Sequence, residues 1–214
     1  MHSITCVYLH GFLSNGNSHK GQWFAKQAKL ENSMCTESDE GVFFQDWLTP
    51  SYPIASPQAS VSSIENRLKA LLNTPETTVV LMGSSMGGFY AQFLGQKYQL
   101  PYVLINPALN PRPIFEANRG EHVNPSTEES VCIDEDYIQQ IETYQVAKLN
   151  LQIPILLLID KGDELIDIPF AVSQHPVSQS KCQVQLFEGG DHAFQHLEQA
   201  WPMIKAFMQT IHAE

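Results

Sequence analysis

Val79-Val80-Leu81-Met82-Gly83-Ser84-Ser85-Met86-Gly87-Gly88 carries an apolar run straight into a serine bracketed by glycines. The four apolar residues predict a strand. The G-x-S-x-G spacing fits a sharp turn from that strand into a helix, which throws Ser85 out at the sheet edge. Small residues two before and two after the serine relieve crowding at such a turn. Ser84 does not fit the same register, because Met82 and Met86 stand where its glycines would be needed. A five-residue pattern recurs by chance in proteins of ordinary composition, so its meaning rests on what flanks it.

Outward from this turn, strand and helix signals alternate along the chain. Strands are expected at residues 4–9, 42–48, 79–82, 102–105, 155–159 and 184–187, and helices at 18–30, 60–72, 87–98 and 192–211. Residues 31–41 are polar and acidic and read as a surface loop. The wholly apolar Ile155-Leu156-Leu157-Leu158-Ile159 has the pattern of a strand covered on both faces. This alternation predicts an α/β fold, a mostly parallel sheet of about six strands flanked by helices. At 214 residues the chain suits a single domain, residues 1–214.

One interval breaks the rhythm. Between Asn106 and Ile153 lie 46 residues, where a simple crossover needs far fewer. Three early prolines and an acidic, helix-like run over 134–149 fill it. Residues 107–152 are therefore expected to form a small cap above Ser85.

A serine hydroxyl needs a histidine to take its proton and an acid to hold that histidine in the right tautomer. In this architecture both follow the serine in chain order, past later strands. Asp160-Lys161-Gly162-Asp163 follows the strand at 155–159, and Gly189-Gly190-Asp191-His192 follows the last strand. His192 is the candidate base. Asp163 is favoured as the acid, because it follows a glycine turn and apolar residues then return to the core; Asp160 and Asp167 are the alternatives. Asp191 reads as a rim charge or helix cap. The backbone N–H groups of Met86 and of Phe12, in His10-Gly11-Phe12, are candidate donors to a developing oxyanion. His10 itself reads as a structural histidine.

The blocks His10-Gly11-Phe12, Gly83-Ser84-Ser85-Met86-Gly87-Gly88, Asn106-Pro107-Ala108, Gly162-Asp163-Glu164 and Glu188-Gly189-Gly190-Asp191-His192-Ala193-Phe194 resemble the YqiA-type bacterial esterases of the α/β-hydrolase superfamily. They occur in the family's order and span nearly the whole chain. The resemblance implies a compact α/β-hydrolase fold lacking the superfamily's first two strands. It also implies cleavage of carboxylic esters, or of thioesters, with Ser85, Asp163 and His192 at the triad positions. Extra length around residues 31–45 and Pro125-Ser126-Thr127 depart from the family pattern, outside those three positions.

Composition narrows the partners. A net charge of −11 without a basic block argues against nucleic acid, leaving a small-molecule ester or thioester as the expected partner. An acyl-CoA substrate would need Arg112, Arg119 or Lys20 near the mouth to meet its phosphates, which ranks short-to-medium acyl esters above it. A non-catalytic binding protein on the same fold is the reading outside enzymology, and retention of all three triad residue types counts against it. No metal or cofactor is called for. No apolar run approaches the ~18 residues of a membrane span, and no basic, then apolar leader opens the chain, so the cytoplasm is the expected address. Cys6, Cys35, Cys132 and Cys182 form no C-x-x-C pair and read as free thiols.

Overall fold

Strand β7, Ile155–Asp160, shows how the sequence builds the core. Successive side chains of a strand point to opposite faces. Ile155, Leu157 and Ile159 join one buried apolar cluster, while Leu156 and Leu158 join another. The computed structural model describes residues 3–34, 44–74, 77–177 and 181–212. Within them, six strands form one sheet in the order β2-β1-β3-β4-β7-β8, every neighbouring pair parallel. The other five members are β1 Ser3–Leu9, β2 Phe44–Leu48, β3 Thr77–Ser85, β4 Tyr102–Pro107 and β8 Cys182–Phe187.

Helices cover both faces, as a parallel sheet requires. Helix α1 (His19–Met34) contributes Phe24 and Ala28 to one cluster, and the last helix, α7 (Leu197–His212), contributes Ala200, Trp201, Ile204, Phe207 and Met208. On the other face lie α2 (Pro57–Leu72), with Val61, Ile64 and Leu68, and α3 (Met86–Tyr98), with Phe89, Ala91 and Leu94. Helix α2 opens on Ser56, whose hydroxyl accepts from Ala59 N–H, and has proline in its first turn. No helix among the described residues is long and apolar enough to cross a membrane.

Between β4 and β7, residues 107–152 carry α4 (Pro111–Ala117), an antiparallel hairpin of β5 (Gly120–Val123) and β6 (Ser130–Ile133), and α5 (Glu135–Glu142). The helix expected over 134–149 is thus confined to eight residues, capped by the Asp134 side chain on Tyr137 N–H. The segment is tied to the body of the fold. Asn124 Nδ2 donates to the Ser14 carbonyl at 2.9 Å, and Glu129 accepts from Ile54 and Ala55 N–H at 3.0 and 2.9 Å.

Three further boundaries differ from the sequence reading. Residues 31–34, read as loop, extend α1, and residues 35–41 lie outside the described residues. The strand read over 42–48 is seen from Phe44. The closing helix begins at Leu197 and not at His192, because residues 191–196 form a turn in which Phe194 takes a positive φ of 64°. Residues Ile168–Gln174 form a further short helix, α6, absent from the sequence reading. Cys6, Cys132 and Cys182 are not joined in disulfides, and Cys35 lies outside the described residues.

Candidate active site

Ser85 ends β3 with φ 56° and ψ −122°, a strained conformation for a residue with a side chain. The neighbouring glycines make the turn sterically possible. A side-chain carbon at Gly83 would overlap the Gly87 carbonyl, and one at Gly87 would overlap the Leu9 carbonyl. Helix α3 therefore packs directly onto the ends of β1 and β3, and Ser85 stands at its N-terminal end.

The two later loops meet at this serine. His192 Nε2 lies 2.9 Å from Ser85 Oγ, and His192 Nδ1 lies 2.8 Å from Asp163 Oδ2. A neutral imidazole protonated at Nδ1 satisfies both bonds: Nδ1–H donates to the carboxylate, and the serine O–H donates to Nε2. Asp163 Oδ1 accepts from Leu165 and Ile166 N–H at 2.8 and 3.2 Å, so the carboxylate is held on both oxygens. Burial alone would raise its pKa. The hydrogen bonds from His192, Leu165 and Ile166, with the attraction of His192, outweigh burial and hold it below the ordinary value.

That depression has a defined consequence for stability. A carboxylate favoured in the folded state contributes fully above its unfolded pKa, about 3.9, and the contribution disappears as pH falls through the lower folded value. Denaturant titrations between pH 7 and pH 2 should show wild type losing more stability below pH 4 than Asp163→Asn, which lacks the titrating group.

The other two acids considered from sequence are engaged elsewhere. Asp167 caps α6 by accepting from Phe170 N–H at 3.0 Å. Asp160 is fully buried and holds the histidine loop: Oδ2 accepts from Gln195 N–H at 2.7 Å, and Oδ1 lies 2.7 Å from His196 Nδ1. Asn106 completes this brace, accepting from Asp160 N–H and donating to the Asp191 carbonyl, both at 2.9 Å. Asp191 caps no helix. Its carboxylate accepts from Ala193 N–H at 2.8 Å and from Gln195 Nε2, closing the turn that presents His192. Asn106 and His196 were not singled out from sequence as parts of the site; only the fold brings them beside Asp160.

Gly11 lies against the serine, where a side-chain carbon would stand 3.4 Å from Ser85 Cβ. Phe12, which follows Gly11, and Met86, which follows Ser85, border one cavity together with Ser85 and His192. His10 is buried, stacks on Tyr52 at 4.0 Å between ring centres, and makes a 2.9 Å bond from Nδ1 to the Gly11 carbonyl. Burial lowers its pKa, favouring the neutral ring.

Two cavities are bordered by both Ser85 and His192. One, of about 260 Å³, is walled by apolar side chains that include Leu13, Met86, Ile114, Phe115, Ile133 and Leu165. The other, of about 500 Å³, is bordered mainly by hydroxyl and amide side chains and by Lys20. Phe12 stands between them, its ring edge-on to Phe115 at 5.3 Å. Arg112 and Arg119 line neither. Arg112 pairs with Glu116, Glu135 and Glu142, and Arg119 with Glu135. Among the described residues no three His, Cys, Asp or Glu side chains are grouped to hold a metal ion.

Residues 5–209 match the model of a family described as an uncharacterised protein family, UPF0227. The chain belongs to this family, the YqiA-type α/β hydrolases. The fold of this YqiA-type chain is shared with solved α/β hydrolases of low sequence identity. Mouse alpha/beta hydrolase domain-containing protein 10 is 17% identical, with a TM-score of 0.69 over 97% of this chain and 90% of that one. Est1E from Butyrivibrio proteoclasticus, solved with ferulic acid bound, is 16% identical, with a TM-score of 0.68 over 98% and 90%. A putative α/β-superfamily hydrolase from Xanthomonas campestris pv. campestris is 19% identical, with a TM-score of 0.54 over 96% and 97%.

Proposed function

We propose that this YqiA-type protein hydrolyses carboxylic esters through an acyl-enzyme formed on Ser85. The observation that carries this reading is the continuous Asp163–His192–Ser85 hydrogen-bond chain, at 2.8 and 2.9 Å, on a strained elbow. Ser85 Oγ attacks the ester carbonyl as His192 Nε2 takes its proton, and Asp163 stabilises the imidazolium. Negative charge on the carbonyl oxygen is met by Phe12 and Met86 N–H, aided by the N-terminal dipole of α3. His192 returns the proton to the departing alkoxide, releasing the alcohol. Water then attacks the acyl-enzyme with the same proton transfers and frees the acid.

Residues 107–152 act as the cap, and the apolar chamber that they help wall receives the acyl group. A chamber of about 260 Å³ falls just below the usual ligand-pocket range of about 300–1,000 Å³ and suits short-to-medium chains. Ester cleavage ranks above acyl-CoA cleavage because Arg112 and Arg119 are consumed by carboxylates and line neither cavity, and Lys20, which does border the polar one, is already engaged by the Ala193 carbonyl.

An acyl-length series of p-nitrophenyl esters tests this. Each buried CH2 is worth about 0.8 kcal/mol, so kcat/KM should climb up to about fourfold per carbon while the chamber has room. It should then fall once the chain outgrows the chamber. A rate that is flat with length, or still climbing at sixteen carbons, would place the acyl group elsewhere.

A further inference from the structure

The polar cavity beside Ser85 has a floor that the ester mechanism leaves unused. Ser84 is almost wholly buried, yet its Oγ has no satisfied hydrogen bond among the described residues, and the same holds for the buried hydroxyl of Ser18. The buried Tyr8 hydroxyl is the hydrogen-bonding neighbour of both, in a geometry that leaves neither serine hydroxyl satisfied. All three residues line the cavity. An orphaned buried hydroxyl costs about 1–3 kcal/mol, and two of them beside the Tyr8 hydroxyl on one cavity mark a place where a ligand's polar groups would be paired. Asn15, Asn17 and Lys20 stand on the same cavity.

Resting on the ester-hydrolase reading, we infer that this cavity is the leaving-group subsite and takes a neutral polyhydroxy alcohol, such as a glycerol or sugar unit. Two physical comparisons select that class. The first is between the two cavities. A hydroxylated alcohol placed in the apolar chamber would lose its bonds to water without replacement, and an alkyl chain placed on the hydroxyl floor would leave that floor unpaired. The acyl group therefore goes to the apolar side and the alcohol to the polar side, with His192 on both walls to hand over the proton.

The second comparison is between a neutral and an anionic alcohol. Among the described residues Lys20 is the one lysine or arginine on the cavity wall, and its Nζ already donates to the Ala193 carbonyl at 2.9 Å. The carboxylates of Asp191, Asp163 and Asp160 all act on it electrostatically. A phosphate or carboxylate entering here meets one cation already shared with the Ala193 carbonyl and three neighbouring carboxylates. Hydroxyl and amide groups both donate and accept, which is the pairing that alcohol hydroxyls need.

The test holds the acid constant and varies the alcohol, using n-propyl butyrate, 1-butyrylglycerol and 1-butyrylglycerol 3-phosphate on the purified full chain. Wild type should show kcat/KM at least tenfold higher for butyrylglycerol than for propyl butyrate, with the phosphate ester below butyrylglycerol. Ser84→Ala and, separately, Ser18→Ala should each cut the glycerol-to-propyl ratio several-fold, as expected for loss of one paired hydroxyl. Ser18 precedes α1, away from the elbow, so its variant decides the matter if Ser84→Ala does not fold. A ratio near one in wild type, or a phosphate ester that outruns butyrylglycerol, overturns the polyol subsite while leaving the esterase reading intact. Absence of hydrolysis of all three esters and of aryl esters overturns both.

Discussion

Ser85→Ala should abolish turnover while leaving the fold in place. Removal of a nucleophile that works as a unit with its base and acid costs about 10⁴–10⁶ in kcat. Among the described residues one hydrogen bond of the side chain, to His192 Nε2, disappears from the folded state, so the melting temperature should move little. Ser85→Gly should be equally inactive yet more stable, by roughly 1 kcal/mol, because φ 56° is strained for serine and relaxed for glycine. A nucleophile elbow stores strain to expose its hydroxyl, and this pair of variants separates that strain from the chemistry. Retention of more than a hundredth of wild-type kcat/KM by freshly purified Ser85→Ala would contradict the assignment.

The second large effect is a contrast between two carboxylates three residues apart. Asp163→Asn should lower kcat by about 10⁴, because an amide facing Nδ1 favours the wrong imidazole tautomer. Its stability near pH 7 should fall only modestly, since the Asn oxygen can still accept from Leu165 and Ile166 N–H. Asp160→Asn should behave in the opposite way. That buried carboxylate accepts from Gln195 N–H and pairs with His196, so losing its charge should cost on the order of 2–3 kcal/mol while kcat stays within about tenfold. Paired kcat and denaturant measurements on both variants check this. If Asp160→Asn were the inactive variant and Asp163→Asn the unstable one, the roles of the two acids would be exchanged.

The turn after β7 and the turn after β8 were readable because each follows an apolar run and contains glycine. The same local logic separated Asp163 from Asp160 in sequence, and the folded distances bring Asp163, not Asp160 or Asp167, to His192. Other features depend on contacts between distant residues. The stretch 191–196 has nothing in its composition to stop a helix. It is held as a turn by Asp160, which takes Gln195 N–H across 35 residues of chain. Helix α4 was hidden by Pro111 and Pro113, which read as loop although proline fits the first turn of a helix. Strands β5 and β6 have four residues each, too few for an alternation to show. The polar floor was also invisible, since Tyr8 and Ser84 lie on β1 and β3 and Ser18 just before α1. Parallel pairing of β1 with β3, which sets Tyr8 opposite Met82 and Leu9 opposite Gly83, brings them to one cavity.

The central claim is that Ser85 is the nucleophile, activated by His192. Reaction with a fluorophosphonate, followed by intact mass and peptide mapping, tests it without knowledge of the natural ester. The expected result is one phosphonyl group per chain, on the peptide containing Ser85, absent in Ser85→Ala and strongly slowed in His192→Ala. Labelling that persists in Ser85→Ala, or that maps to another residue in wild type, would contradict the account.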